Sequence, residues 1–172
     1  SPFNVISPHK SVFSNYLFSH WFNDSTVFAY KTSFNEIPSF VSIDKSGHEK
    51  KLFHPGIIFR ESVNYRDSYI VWSEQIPDPR WAHKGKSLIR IMDSDGKNIA
   101  EITPENKSLS PAVSHDKTKV AVVETDFSNQ YFLSVYQISD GKLLNRFQTE
   151  NNNYFFSPEW INSNELAVII LN

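Results

Sequence analysis

Residues Ser110 to Val123 read SPAVSHDKTKVAVV: a short entry strand, a tight polar turn, and a strand of β-branched and small apolar residues. A second copy, SPEWINSNELAVII, begins 47 positions later at Ser157. A diverged copy, SHWFNDSTVFAY, begins at Ser19, and the midpoint carries another polar turn before an apolar strand, SVNYRDSYIVW from Ser62. A pattern that returns at a fixed period of about 20–50 residues predicts a repeat architecture.

The repeat length matches a four-stranded propeller blade. We therefore predict an all-β fold of β-propeller blades, about four consecutive four-stranded antiparallel meanders in one domain spanning residues 1–172. The predicted segments are a lead-in at 1–17 and blade-like repeats at about 18–56, 57–106, 107–150 and 151–172, the last one truncated. Because closed rings take about four to eight blades, the ring should be incomplete. A β-sandwich would fit the number of strands but not the repeat.

Three turn motifs connect predicted neighbouring strands. They are KSGH at 45–48 and SDGK at both 94–97 and 139–142, each with the glycine that a tight hairpin requires. Strands are predicted at 26–33, 39–44, 49–53, 67–74, 87–93, 98–103, 119–125, 131–139, 142–148 and 165–171. No stretch has a helical amphipathic period of useful length, so helix should be limited to a turn or two.

The Ser-Pro copies resemble the repeat signature of TolB-like, or WD-repeat-like, bacterial β-propellers, which reads Ser-Pro-x-Trp-Ser-Pro-Asp-Gly-Lys-x-Ile-Ala-Phe. The chain departs from this signature at Val113, which replaces the Trp, and at His115, which replaces the second Pro. The turn glycine is missing from all four copies. The resemblance implies a propeller over most of the chain and brings no catalytic residue with it. Propellers of this kind occur in prolyl-oligopeptidase-like enzymes, in secreted lyases and in periplasmic scaffolds.

The composition limits the kinds of partner, of site and of cellular location that the chain can have. Seventeen Lys and Arg against nineteen Asp and Glu give a net charge of −2, too near neutral to indicate a nucleic-acid partner. No apolar run approaches the roughly 18 residues of a membrane span, and the absence of cysteine excludes disulfides and thiolate metal sites. The first residues do not read as a signal peptide. The resemblance implies a periplasmic or cell-surface protein whose signal has been removed, with a cytoplasmic location as the alternative.

No catalytic, cofactor or metal site is predicted. The metalloprotease, hydrolase and phosphate-loop motifs are missing from the sequence. Three aspartates recur before the second strand of their repeats, namely Asp24, Asp67 and Asp116. They could bind Ca²⁺ or act in catalysis, but we expect them to hold turns by accepting backbone hydrogen bonds. The histidines have no metal-ligand spacing, and we expect them to lie in exposed loops; they are His9, His20, His48, His54, His83 and His115.

The segment at 75–86 interrupts its repeat, because two prolines exclude a central strand there. It is the best candidate for a recognition loop, since Arg and Trp are enriched at binding hot spots. The candidate residues are Asp78, Arg80, Trp81, His83 and Lys84. The alternative is that Trp81 folds back onto the sheet edge beneath Arg80. The other tryptophans, Trp21, Trp72 and Trp160, should pack between neighbouring blades.

Two functions remain open on the sequence. The first is a non-catalytic β-propeller module, part of a longer exported bacterial protein, that acts as a scaffold binding a protein or glycan partner. The alternative is the propeller domain of a larger peptidase or lyase whose catalytic residues lie outside this chain, so whether an enzyme is involved is left undecided.

The strand predicted at 165–171 is apolar without interruption, a pattern typical of a strand with neighbours on both edges. The sequence ends before a next strand can form. We therefore expect the remainder of a longer chain, or a second copy, to complete the propeller.

Overall fold

The computed structural model describes residues 12–59, 62–81 and 84–171, so most of the predicted lead-in lies outside the described residues. Within them the chain is all β, as predicted, and no helix is long and apolar enough to cross a membrane. The strands are β1 (Ser14–Asn23), β2 (Thr26–Ser33), β3 (Ser39–Asp44), β4 (Glu49–Phe53), β5 (Ile57–Ile58), β6 (Asn64–Arg66), β7 (Tyr69–Ile76), β8 (Lys86–Asp93), β9 (Asn98–Ile102), β10 (Lys107–Val113), β11 (Lys119–Thr125), β12 (Tyr131–Gln137), β13 (Leu143–Phe147), β14 (Tyr154–Trp160) and β15 (Leu166–Leu171).

These strands form four antiparallel sheets, each a meander in chain order. Sheet I has the order β1-β2-β3-β4, and sheet III has the order β10-β11-β12-β13. Sheet II has the order β5-β7-β8-β9, with β6 also pairing β7, and sheet IV consists of β14 and β15. The chain divides into two compact units. Unit 1 contains sheet I together with the β8–β9 turn, Ser94–Lys97, and unit 2 contains the strands of sheets II, III and IV.

The repeated Ser-Pro motif marks a β-bulge in the first strand of a sheet. Ser110 and Ser157 have φ values of 49° and 51°, and the pairing register shifts around each of them. Phe18 has a φ of 53° at the matching register shift of β1. Proline suits such a position because it has no N–H to leave unpaired. The Ser-Pro repeat in the sequence therefore corresponds to a repeated β-bulge in the backbone.

The first strands of sheets I and II differ most from expectation. β1 begins at Ser14, ahead of the blade start predicted near residue 18. The bulge at Phe18 reverses the alternation of side chains within β1, which hides the strand from a period-two pattern. In sheet II the first strand is split into β5 and β6. Between them the buried hydroxyl of Ser62 lies 2.6 Å from the carbonyl oxygen of Phe59.

The core of unit 2 lies between its sheets, and β11 is buried on both faces. Val120 and Val122 share a cluster with Val71 and other residues of sheet II. On the opposite face Ala121 packs with Trp160, and Val123 packs with residues of sheet IV. All four β11 side chains are at most 1 % exposed. This two-faced burial, which the sequence predicted, is what stacked blades require.

The tryptophan prediction is only partly right. Trp72 and Trp160 are buried, but Trp21 is 53 % exposed. Trp21 pairs with Val27 as Trp160 pairs with Leu166, so the two indoles occupy equivalent positions. Trp160 lies against sheet III, whereas the described part of unit 1 contains no sheet against the equivalent face of β1. Burial at this position depends on a neighbouring sheet and not on the strand itself.

Candidate binding site

The predicted recognition loop connects β7 to β8 and is held by its own backbone. The carboxylate of Asp78 accepts hydrogen bonds from the N–H groups of Arg80 and Trp81, each at 2.8 Å. The N–H of Lys84 donates to the carbonyl of Trp81 at 2.8 Å. His83 lies outside the described residues. Asp78 therefore acts as a turn former in this loop.

The indole of Trp81 is about half exposed to solvent. It is 55 % exposed, and the ammonium group of Lys84 lies 6.0 Å from its ring centroid. The fold-back alternative, in which Arg80 covers the ring, stays a prediction. An exposed aromatic ring beside a cation is a common feature of recognition surfaces.

A cleft of about 240 Å³ lies beside the loop, between the ends of sheets II and III. Its walls come from three connections: the end of the β7–β8 loop, the β9–β10 connection and the β11–β12 turn. The lining residues are Lys84, Gly85, Lys86, Glu105, Asn106, Lys107, Thr125, Asp126, Phe127 and Asn129. A second hollow of about 300 Å³ shares Gly85, Lys86, Lys107 and Thr125 with it. The two hollows therefore adjoin, and the predicted loop forms part of their rim.

The acidic groups around the cleft are already engaged. Asp78 holds the loop, and Asp126 accepts the N–H groups of Ser128 and Gln130 at 2.8 and 2.9 Å. Glu105 lies 3.9 Å from the guanidinium of Arg146. Two carboxylates, Glu105 and Asp126, therefore line the cleft together with three lysines.

The cations in and near the cleft form no ion pairs with carboxylates within the described ranges. Three of them line the cleft, namely Lys84, Lys86 and Lys107, and Arg80 lies in the neighbouring loop. Phe127, at 68 % exposure, stands on the cleft wall that the β11–β12 turn provides. Together with Trp81 these residues define the loop surface: Arg80, Trp81, Lys84, Lys86, Lys107 and Phe127.

Sequence reasoning missed the part of the loop surface that lies outside the β7–β8 insertion. Phe127 sits in the turn DFSN at 126–129, and an aromatic side chain at the tip of a polar turn was a signal that could have been noticed. Lys86 and Lys107 carried no such signal. They come together only because sheets II and III are stacked.

The aspartates suspected of chemistry are found in turns. Asp116 accepts hydrogen bonds from the Ser114 hydroxyl at 2.6 Å and the Thr118 N–H at 3.2 Å. The Ser114 hydrogen bond is the main reason that the pKa of Asp116 lies below its usual range. Asp67, at a positive φ of 49°, lies 3.6 Å from the ammonium of Lys117, and Asp24 sits in the exposed turn between β1 and β2. The described residues contain no group of three or more His, Cys, Asp or Glu side chains placed to hold a metal ion.

A cluster that the sequence did not indicate is buried in sheet III. The carboxylate of Glu124 is fully buried, and it accepts hydrogen bonds from Tyr136 at 2.5 Å, Asn106 at 3.0 Å and Arg146 at 3.1 Å. Burial raises the pKa of the Tyr136 hydroxyl, and its bond to Glu124 raises that pKa further. Asn106, Tyr136 and Arg146 all donate to Glu124, so the cluster is a satisfied structural network.

Comparisons with known proteins bear on the fold. No protein-family model matches the chain, and a search of curated proteins found no match. Among solved structures, TolB from Acinetobacter baumannii superposes with a TM-score of 0.50 and 14 % identity, over 85 % of this chain and 38 % of that one.

Two further structures are similar. The β-propeller domain of the Trilobed protease from Pyrococcus furiosus has a TM-score of 0.49 and 13 % identity, over 92 % of this chain and 53 % of that one. Kuenenia stuttgartiensis hydrazine synthase has a TM-score of 0.48 and 12 % identity, over 85 % and 55 %. The chain thus spans between 38 % and 55 % of these proteins.

Identities this low establish only the fold. The meander sheets, the bulged first strands and the likeness to TolB agree with one another. The meander sheets of this chain therefore have the fold of β-propeller blades.

Proposed function

We propose that this β-propeller module binds a protein partner through the loop surface and performs no catalysis itself. The observation that carries the proposal is that exposed Phe127 lines a cleft whose lysines form no ion pair within the described residues, and that the loop ending at this cleft carries the exposed Trp81. Loops held on a rigid β scaffold are where binding residues concentrate. Aromatic side chains and arginine supply most of the energy at such interfaces.

The charges indicate the chemistry of the partner. Lys86 and Lys107 are shared by both hollows, and a carboxylate bound there would meet two ammonium groups. An aromatic or large aliphatic side chain next to that carboxylate would contact Trp81 or Phe127. The partner segment is therefore acidic with an apolar anchor, since complementary charge and an aromatic contact favour the same ligand.

A glycan is the second candidate, supported by the exposed indole of Trp81 alone. A neutral sugar could stack on that ring but would leave the lysines without a role. A protein partner would use both the aromatic side chains and the lysines of the loop surface, and we therefore propose a protein partner.

Selection from a random peptide library displayed on phage tests the proposal directly. Peptides enriched on the chain should combine Asp or Glu with an aromatic or large aliphatic residue. Trp81→Ala should weaken their binding at least tenfold, which corresponds to about 1.4 kcal/mol. Trp21→Ala is the matched control, because Trp21 is 53 % exposed on a different sheet, and it should leave the affinity unchanged.

Two outcomes would argue against this function. Enriched peptides without acidic residues, or with equal affinity for the Trp81→Ala variant, would remove the loop surface as the binding site. Binding on a glycan array that is lost in Trp81→Ala, together with a failed peptide selection, would favour the glycan partner.

The role of scaffold within a longer exported bacterial protein, in the periplasm or at the cell surface, belongs to the same proposal. Its support is the resemblance of the Ser-Pro repeats to those of TolB-like propellers. Fractionation of the source cells tests it: the protein should be released with the periplasmic fraction or labelled on intact cells, and recovery with the cytoplasm alone would refute it.

A further inference from the structure

Asn106 reaches from the cleft wall to a buried carboxylate. It is one of the residues that line the cleft, and its Nδ2 atom lies 3.0 Å from the Oε2 atom of Glu124, which has no solvent exposure. Arg146 donates to the same oxygen at 3.1 Å, and the Tyr136 hydroxyl donates to Oε1 at 2.5 Å. A carboxylate paired with a guanidinium group only accepts hydrogen bonds. The Asn106 amide therefore turns its NH2 group toward Glu124.

The oxygen of the same amide is available to a ligand. Oδ1 of Asn106 forms no hydrogen bond with another residue in the described ranges, although the residue is partly exposed and the atom is not buried. Rotating the amide by half a turn would set Oδ1 against Oε2 of Glu124, two acceptors without a proton between them. The orientation of the amide is thus fixed by the buried carboxylate, and an uncommitted acceptor is presented at the cleft.

Sheet II shows that a buried glutamate at this place does not require an asparagine. Glu74 in sheet II occupies the position of Glu124 in sheet III. Gly56 is the equivalent of Asn106, since each stands two residues before the first-strand residue that pairs with the glutamate. A Cβ atom at Gly56 would lie 3.1 Å from Oε2 of Glu74, and the indole N–H of Trp72 donates to Oε1 at 2.9 Å. Asn106 therefore adds to the cleft an acceptor that sheet II lacks.

We propose that Oδ1 of Asn106 accepts a hydrogen bond from a backbone N–H group of the partner segment, and that Glu124 is the positioning residue that keeps the amide in this orientation. The inference rests on the proposed function, and it names what the cleft recognises besides charge and an apolar side chain. The ammonium groups of Lys86 and Lys107 attract a carboxylate from many directions. A carbonyl oxygen in a fixed orientation accepts an N–H group at about 2.9 Å and near the plane of its amide. Asn106 therefore sets the register of the segment whose carboxylate meets the lysines.

Backbone N-methylation of a bound peptide tests the proposal, because it removes one N–H donor at a time. The probe is a fluorescein-labelled peptide from the phage selection, with one acidic and one aromatic or large aliphatic residue, and each variant of it carries a single N-methyl group. On the unchanged chain, one N-methyl position should weaken binding about tenfold. On Asn106→Ala that penalty should largely disappear, because the acceptor is already gone. Asn145→Ala, at an exposed asparagine of sheet III that does not line the cleft, is the matched control and should keep the full penalty.

The role of Glu124 is tested with Asn106 left in place. In the double variant Glu124→Gln with Arg146→Met, the new amide should keep its oxygen toward the Tyr136 hydroxyl and offer its NH2 group to Asn106. Asn106 should then turn its oxygen inward to accept that group and its own NH2 group toward the cleft. The penalty at the same N-methyl position should therefore disappear although the chain stays folded, which circular dichroism checks. A purely structural role of Glu124 would leave that penalty unchanged.

Failure of this inference differs from failure of the proposed function. N-methyl penalties that are the same on the unchanged chain and on Asn106→Ala at every position, with binding still weakened by Trp81→Ala, would overturn the inference and leave the proposed function standing. Peptide affinity that Trp81→Ala does not change would refute the proposed function itself, and the inference with it. A penalty that Asn106→Ala removes and the double variant keeps would confirm the hydrogen bond and refute the positioning role of Glu124.

Discussion

Replacing Arg146 by methionine should lower the free energy of unfolding by about 3–5 kcal/mol, because it leaves a buried carboxylate without its cation. Glu124 has no solvent exposure, and the Arg146 guanidinium lies 3.1 Å from its Oε2 atom. Asn106 and Tyr136 would still donate hydrogen bonds, but neither carries a positive charge. Chemical denaturation monitored by fluorescence measures the loss.

The double variant Glu124→Gln with Arg146→Met is the control. It removes both charges while keeping an oxygen acceptor for the Tyr136 hydroxyl, so most of the stability should return. A double variant as unstable as the single one would show that Arg146 contributes through packing on Phe132, whose ring it covers at 5.3 Å, and not through charge.

Buried charge at this position is a recurring feature of the sheets. Lys31 in sheet I, Glu74 in sheet II and Glu124 in sheet III occupy the same place in the second strand. Their partners differ: Lys31 lies 2.9 Å from Glu49, and Glu74 lies 3.1 Å from Arg90. The sign of the buried charge is thus reversed in sheet I, while the pairing is kept. The equivalent residue of β15 is Ile170, which needs no partner.

The sequence predicted the parts of the fold that depend on local pattern. Apolar alternation and hairpin glycines placed β2, β3, β4 and β11 with their observed bounds, and the Ser-Pro repeat gave the spacing of the sheets. Local pattern failed where a bulge or a neighbouring sheet decides the outcome. The bulge at Phe18 concealed the start of β1. The exposure of Trp21 and the burial of Trp160 could not be predicted without knowing which strand face a neighbouring sheet covers.

The candidate site likewise contains residues that local pattern revealed and residues that it did not. Trp81 and Arg80 stood out because prolines on both sides of Asp78 exclude regular strand in that segment. Phe127, Lys86 and Lys107 belong to separate connections and meet only through the stacking of two sheets. The burial of Lys31 and Glu124 was equally hidden, since an isolated charge in a strand reads as a solvent-facing residue. Such contacts between distant segments require the three-dimensional arrangement.

Trp160→Ala should destabilise sheet IV more than any other single change there, by about 3–5 kcal/mol. The indole is buried against Ala121 and Val135 of sheet III, and its N–H donates to the Ala112 carbonyl at 2.9 Å. Two paired strands are marginal on their own in water, so sheet IV depends on this packing. Denaturation gives the magnitude, and limited proteolysis locates it: cleavage within residues 148–171 should become faster than cleavage within sheets II and III.

Two further variants separate the causes of that loss. Trp160→Phe keeps most of the apolar contact but removes the N–H, so it should cost about 1–3 kcal/mol for the Ala112 carbonyl left unpaired. Trp21→Ala removes the equivalent side chain from sheet I, where it is mostly in contact with water, and should change stability by less than about 0.5 kcal/mol. Equal losses for Trp160→Ala and Trp21→Ala would contradict the assignment, because the two indoles share a register position and differ in whether a neighbouring sheet covers them.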